Sequence, residues 1–259
     1  MTLSIAILLA IAAAPVAPAR NPAGTPEITV YAAASLKDIL TSIAPICAEK
    51  ARVRFVHNFG ASNDLARQIV AANKADIFLS ADEAWMDHVA DAGLVLAGTR
   101  RTLLSNRLAV VVPQDSALAP RAAEDLASDS YRRLALANPG AVPAGRYAKQ
   151  WLEAAGMWER VAAKVVPAPD VRAALAMVES GAADAGIVYR TDAAIARRVR
   201  VAFVASAGQS PRISYPIAAL AERPHAAAAR RAIDCYAAPE ARSLFENAGF
   251  VVFDPPAAR

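Results

Sequence analysis

The chain is poor in the residues that mark most metal, redox and membrane-spanning proteins. Its 259 residues include two cysteines and three histidines. Cys47 and Cys235 have no CxxC spacing, and His57, His88 and His225 are dispersed, so neither set has the clustering of a metal or redox centre. Two thiols permit one disulfide or two buried free thiols, and spacing leaves both open. Charge is also sparse, with 20% charged residues against 56% hydrophobic, which excludes disorder and allows a substantial core. The net charge of +4 brings no nucleic-acid partner into view. Basic residues are interspersed with acids in pairs such as Arg100-Arg101 and Arg132-Arg133, with no aromatic-flanked basic stripe.

Long apolar runs are missing as well. Leu3 to Ala14 is too short to span a bilayer, and no other segment is longer. That run is followed by Pro15 and by Ala17-Pro18-Ala19, a small-x-small cleavage signal. Residues 1–19 therefore read as a secretory signal peptide, although no Lys or Arg precedes the apolar run. Pro15, Pro18, Pro22 and Pro26 argue against a buried helix there. The expectation is a periplasmic protein in an oxidising compartment.

From Glu27 onward the pattern alternates between strand and helix. Ile28–Tyr31 is a strand, followed by a helix with Leu36, Ile39, Leu40 and Ile43 on one face. Val53–Val56 and Asp76–Leu79 are strands, and helices carry Leu65, Ile69 and Ala84–Ala92. A second set begins at the apolar run Leu108–Val112 and continues with strand Leu134–Leu136. Helix Pro143–Ala155 has proline in its first turn and Gly156 at its end. Helix Val171–Glu179, strand Ile187–Tyr189 and strand Tyr215–Leu220 follow, then C-terminal helices. This alternation predicts an α/β fold of two lobes, each a mostly parallel sheet flanked by helices. With no linker between the sets, the lobes should be joined by crossing strands. Lobe 1 is expected over 27–105 plus 208–259 and lobe 2 over 106–207, with a ligand in the cleft between them.

Five segments place a small or polar residue where a strand meets a helix or ends. They are Ala33-Ala34-Ser35-Leu36, Gly60-Ala61-Ser62-Asn63, Val142-Pro143-Ala144-Gly145, Pro169-Asp170-Val171-Arg172 and Gly186-Ile187-Val188-Tyr189. Backbone N–H groups in the first turn of a helix lack partners inside it, and the helix dipole puts partial positive charge there. An anion can be held at such a place without a formal cation. In open α/β sheets these turns gather at the carboxyl ends of the strands. Ser35 and Ser62 would add hydroxyl donors, and Tyr189 a phenol. Each helix-start segment alone is fully explained as a cap, and Tyr189 alone as an ordinary half-buried tyrosine; the set of five together points to an oxyanion. Trp85, Trp151 and Trp158 read as packing residues, Arg190 as facing solvent, and Asp76 and Asp82 as caps or local partners.

Several of these segments carry a family resemblance. With Tyr31-Ala32-Ala33-Ala34-Ser35-Leu36, Leu65-Ala66-Arg67-Gln68-Ile69, Ala75–Asp82, Trp85-Met86, Val142–Lys149, Asp170-Val171-Arg172 and Gly186–Tyr189, the chain resembles the periplasmic molybdate-binding proteins of ABC transporters. The resemblance runs from Val30 to Phe250. It implies a two-lobed periplasmic-binding-protein fold, molybdate or tungstate as ligand with no cofactor, and a membrane permease of an ABC importer as partner for a monomeric, non-enzymatic carrier. It places the ligand on Ser35, Ser62, Ala144, Val171 and Tyr189, which hold the metal only as its oxyanion. Ala61-Ser62-Asn63 departs from the serine-rich run usual around the second serine. The alternatives are a binder of sulfate or phosphate, a two-lobed enzyme of the hydroxymethylbilane synthase type, for which the signal peptide and the scarcity of arginine at a lobe mouth are unsuitable, and a cytosolic sensing domain, for which no helix-turn-helix is present.

Overall fold

A computed structural model describes residues 24–206 and 208–253; the N-terminal apolar run and its cleavage signal lie outside the described residues. The chain begins with β1 (Glu27–Ala33), α1 (Lys37–Ala51), β2 (Arg54–Gly60), α2 (Ser62–Ala72), β3 (Ile77–Leu79), α3 (Glu83–Asp91) and β4 (Arg101–Ser105). It continues with β5 (Leu108–Pro113), β6 (Leu134–Ala137), α4 (Pro143–Ala154), α5 (Trp158–Val161), β7 (Val165–Ala168), α6 (Val171–Glu179), β8 (Ala185–Tyr189), α7 (Arg190–Ile195) and β9 (Val199–Val204). It then runs through β10 (Tyr215–Ala219), α8 (Ala226–Tyr236), α9 (Pro239–Asn247) and β11 (Val251–Val252).

These strands form two sheets, one of six strands in the order β11-β4-β10-β3-β1-β2 and one of five in the order β7-β6-β8-β5-β9. The chain passes from the first to the second between β4 and β5 and returns between β9 and β10. The sheets are mixed, where strand–helix alternation suggested mostly parallel ones. Parallel pairing holds for β1 with β2 and β3, and for β6 with β7 and β8, the strands that a helix or long crossover returns to the same end of the sheet. β5 and β10 run antiparallel to their neighbours. These two strands receive the chain from the other sheet, so they enter from the opposite end.

The strand period of two divides the first lobe's core between its faces. Ile77, Leu79 and Ile217 pack with Leu40, Ile43 and Ala232 on one side, while Phe78 and Ala218 pack with Leu65, Ile69 and Met86 on the other. Along α1, Ile39, Leu40, Ile43 and Cys47 are buried, the stripe expected of a helix lying on a sheet.

Cys47 on α1 and Cys235 on α8 form a disulfide with Cα atoms 5.6 Å apart, across 188 residues of sequence. The bond ties the C-terminal helices to the first lobe. A cross-link closing so long a loop removes much of the freedom of the unfolded chain, and removing one costs typically about 2–5 kcal/mol.

Candidate oxyanion site

The strand–helix junctions of both lobes meet around one cavity. It is lined by Ser35, Ser62, Ala144, Val171 and Tyr189, together with short stretches of the same junctions. The space free of atoms between these residues is about 220 Å³, part of it open to solvent. A space this small favours a compact ligand over a sugar, a peptide or a tetrapyrrole precursor.

Each junction brings the start of a helix, or the end of a strand, to the cavity. A short 3-10 turn, Ala34–Leu36, precedes α1, and its N-cap is Ala33 in extended conformation. The N-cap of α2 is Ala61, also extended, which puts Ser62 at the first helical position. Neither alanine can make a side-chain cap, so the capping explanation of the two serines fails: both lie inside their helices rather than at the cap. Val142 caps α4, with Pro143 in the first turn. Proline there has no N–H to leave unsatisfied and pre-sets the helical φ, which hands the donor role to Ala144. A Cβ placed on Gly145 would lie 1.9 Å from the Ala137 carbonyl oxygen. Only glycine allows the first turn of α4 to sit this close to the end of β6, and this contact sets Ala144 against the cavity. At α6 the cap is Asp170, whose carboxylate accepts from the N–H groups of Arg172 and Ala173 at 2.8 and 2.9 Å. This satisfies the next two donors and leaves the Val171 N–H, at the first position of the helix, for the cavity.

Tyr189 ends β8 and is 1% exposed. Its hydroxyl has no hydrogen-bond partner among the described residues, an expensive condition for a buried polar group unless a ligand completes it. Burial pushes its phenol well above the ordinary value, so it stays protonated and able to donate. No Lys or Arg belongs to the lining.

Formal charge gathers at the rim instead. Arg146 on α4 pairs with Asp82 before α3 at 3.0 Å, and the Trp85 indole donates to the Ala141 carbonyl at 2.8 Å. Arg172 on α6 reaches Asp38 on α1 at 2.8 Å and the Ser35 carbonyl at 3.3 Å, while its Nε lies 2.5 Å from Asp192. Each of the first four links joins one lobe to the other. Asp192 is wholly buried, and this burial raises its carboxyl to about 7 against the opposing pull of Arg172. Burial likewise raises Asp82, with Arg146 pulling it back.

The sequence reading therefore named residues that the structure brings together, and it undervalued others. Trp85, taken as a packing residue, donates across the cleft. Asp82 is both the cap of α3, accepting from the Trp85 N–H, and an ion-pair partner of the opposite lobe. Asp76 accepts from the Thr29 N–H and from distant Arg223. Arg190 is exposed and apart from the lining. Asn106 and Tyr215, which stand behind Ser35, carried no sequence signal beyond being polar residues near the expected crossings.

Two α/β lobes with strand crossings between them and a small donor-lined cavity where their helices converge define the architecture of a cleft-binding solute receptor. A family model described as bacterial extracellular solute-binding protein matches residues 28–251, and the chain belongs to that family. It is 38% identical over 235 residues to the molybdate-binding protein ModA of Escherichia coli (strain K12), covering 87% of this chain and 89% of that one. The periplasmic molybdate-binding protein of Azotobacter vinelandii superposes with a TM-score of 0.78 at 25% identity, over 88% of this chain and all of that one. The sulfate-binding protein SubI of Mycobacterium tuberculosis H37Rv also gives a TM-score of 0.78, at 19% identity over 89% and 88% of the two chains, a likeness of fold.

Proposed function

We propose that this protein is an exported, periplasmic carrier that captures molybdate, and tungstate by the same geometry, and presents it to the membrane permease of an ABC importer. Lobe 1 comprises 27–105 plus 208–259 and lobe 2 comprises 106–207, of which 207 and 254–259 lie outside the described residues, and the anion lies between them on Ser35, Ser62, Ala144, Val171 and Tyr189. It works as a monomer and changes nothing chemically in its ligand. The observation that carries this reading is the buried Tyr189 hydroxyl, without a partner among the described residues, at a small cavity ringed by helix N-termini. The relatives named for molybdate add the choice of ion.

A fully ionised tetrahedral anion can accept at every oxygen, so a shell of donors replaces its hydration. With donors held in fixed positions, size becomes the basis of choice. Molybdate and tungstate share charge and shape, whereas sulfate is smaller, and near neutral pH phosphate carries a proton that a donor shell does not accept. In a thermal-shift panel, molybdate and tungstate should both raise the melting temperature strongly, sulfate much less and phosphate hardly at all. Equal stabilisation by sulfate and molybdate would overturn the assignment.

A further inference from the structure

Behind Ser35 lies a chain of buried hydrogen bonds whose direction can be assigned. Ser35 Oγ is 3.2 Å from the Tyr215 hydroxyl, and Asn106 Nδ2 is 3.3 Å from the same phenol oxygen and 2.9 Å from Thr191 Oγ1. All four residues are buried. The Arg107 N–H donates to Asn106 Oδ1 at 2.8 Å, which fixes the amide oxygen on that side and turns the NH2 group toward Tyr215 and Thr191. An NH2 group only donates, so the Tyr215 oxygen accepts from Asn106. Ser35 Oγ is the other partner of that oxygen among the described residues, and a buried phenol proton left unpaired is costly, so the proton is given to Ser35 Oγ. Ser35, receiving a hydrogen bond from behind, has its own proton left for the cavity.

We propose that Tyr215 and Asn106 are positioning residues of the anion site, which act through Ser35 by holding its hydroxyl as a donor into the cavity. This rests on the reading of that cavity as an oxyanion site. Ser62 reaches the same state by another route, since its Oγ accepts from the Ala81 N–H at 3.0 Å and its proton is likewise left free. The two side-chain hydroxyls thus enter the cavity with hydrogen foremost, as fixed dipoles. A serine free to rotate would spend part of its time offering a lone pair to the ligand, repelling a fully ionised oxyanion and welcoming a protonated one. The relay also holds its own proton order. Burial raises the Tyr215 phenol far above its ordinary value, so it stays protonated and able to donate.

Residues that act only through Ser35 should lose their effect when the Ser35 hydroxyl is gone, whereas residues that matter by packing should not. A double-mutant cycle by titration calorimetry with molybdate makes the distinction. Tyr215→Phe keeps the ring that packs 5.9 Å from Tyr189 and 5.8 Å from Phe250 and removes only the relay. It should weaken binding about threefold to tenfold, the range of one neutral hydrogen bond. In a Ser35→Ala background, Tyr215→Phe should cause no further loss. Asn106→Ala provides a second cycle with the same expected pattern, and melting temperatures show that each variant is folded. If Tyr215→Phe binds molybdate like the wild type, or loses as much affinity beside Ser35→Ala as alone, the relay is wrong. The cycle is repeated with sulfate. A wild-type protein that prefers sulfate would overturn the ligand reading, and the sulfate cycle would still decide the relay by the same criterion.

Discussion

The lining of the cleft and its rim are built on different physics. The lining presents backbone N–H groups, two serine hydroxyls and a phenol; Ser35, Ser62, Ala144, Val171 and Tyr189 are buried, and its one carboxylate, Asp170, is engaged by the Arg172 and Ala173 N–H groups. The rim a turn or less away carries Arg146–Asp82 and Arg172–Asp38, pairs in which at least one partner is about one-third or more exposed. A cation inside the lining would favour any anion and would itself need desolvation, whereas neutral dipoles select by position. At the rim, solvent reaches the Arg146 side of its pair with buried Asp82 and the Asp38 side of its pair with Arg172, and screens each pair in part. Affinity and selectivity should therefore reside in the lining, and the rim should adjust how firmly the closed form is held.

The sharpest way to break this contrast is Val171→Pro. The first helical position accepts proline readily, and Asp170 before it is already extended at φ −152° and ψ 179°, as a residue preceding proline must be. The helix should survive while one donor is deleted, and molybdate affinity should fall about a hundredfold, the upper range for a charge-assisted hydrogen bond. Calorimetry with a parallel melting curve checks both halves. Next come Ser35→Ala and Ser62→Ala, each expected to weaken binding about tenfold to a hundredfold on the same scale. Ser62→Ala should also lower the melting temperature, because the buried Ala81 N–H loses its acceptor. Normal binding in both serine variants would move the site elsewhere.

At the rim, Arg146→Met should cost less than about fivefold in affinity, the scale of a partly exposed pair. The difference from wild type should shrink as salt is raised, since screening has already weakened the pair in the native protein. A loss as large as that of the serines would erase the distinction between rim and lining. The smallest effect on binding is expected from reduction of Cys47–Cys235. The bond lies between α1 and α8 in one lobe, so thermal stability should fall while molybdate affinity changes by less than about twofold, within the cost of removing a native disulfide.

The lining was legible in sequence and the rim was not, for the same reason that separates their physics. Ser35, Ser62, Ala144 and Val171 sit at helix starts, which short-range patterns mark: an extended residue, a small or capping residue, then an apolar stripe. The rim depends on partners far apart in the chain, 64 residues for Arg146 with Asp82 and 56 for Trp85 with Ala141, and no local pattern foretells which arginine finds which carboxylate. Tyr215 lies 180 residues from Ser35 and 109 from Asn106, so the relay shows only once the sheets are folded. Edge strands escaped for another reason. β7 contains Pro167 and lies at a sheet edge, where a missing N–H is tolerated. β9 is the opposite edge, with half-exposed side chains and an arginine at its second position. β2 continues through His57-Asn58-Phe59-Gly60, which reads as a loop yet forms a partly exposed edge strand.

The central claim is that neutral donors from both lobes surround one oxyanion. Crystals of the protein grown with molybdate, measured near the molybdenum absorption edge, test it most directly through an anomalous difference map. The account predicts a single strong peak in the cavity bounded by Ser35, Ser62, Ala144, Val171 and Tyr189, with the Tyr189 hydroxyl within hydrogen-bonding distance of a ligand oxygen. A peak beside the rim arginines instead, or no peak in the cavity at saturating molybdate, would contradict it.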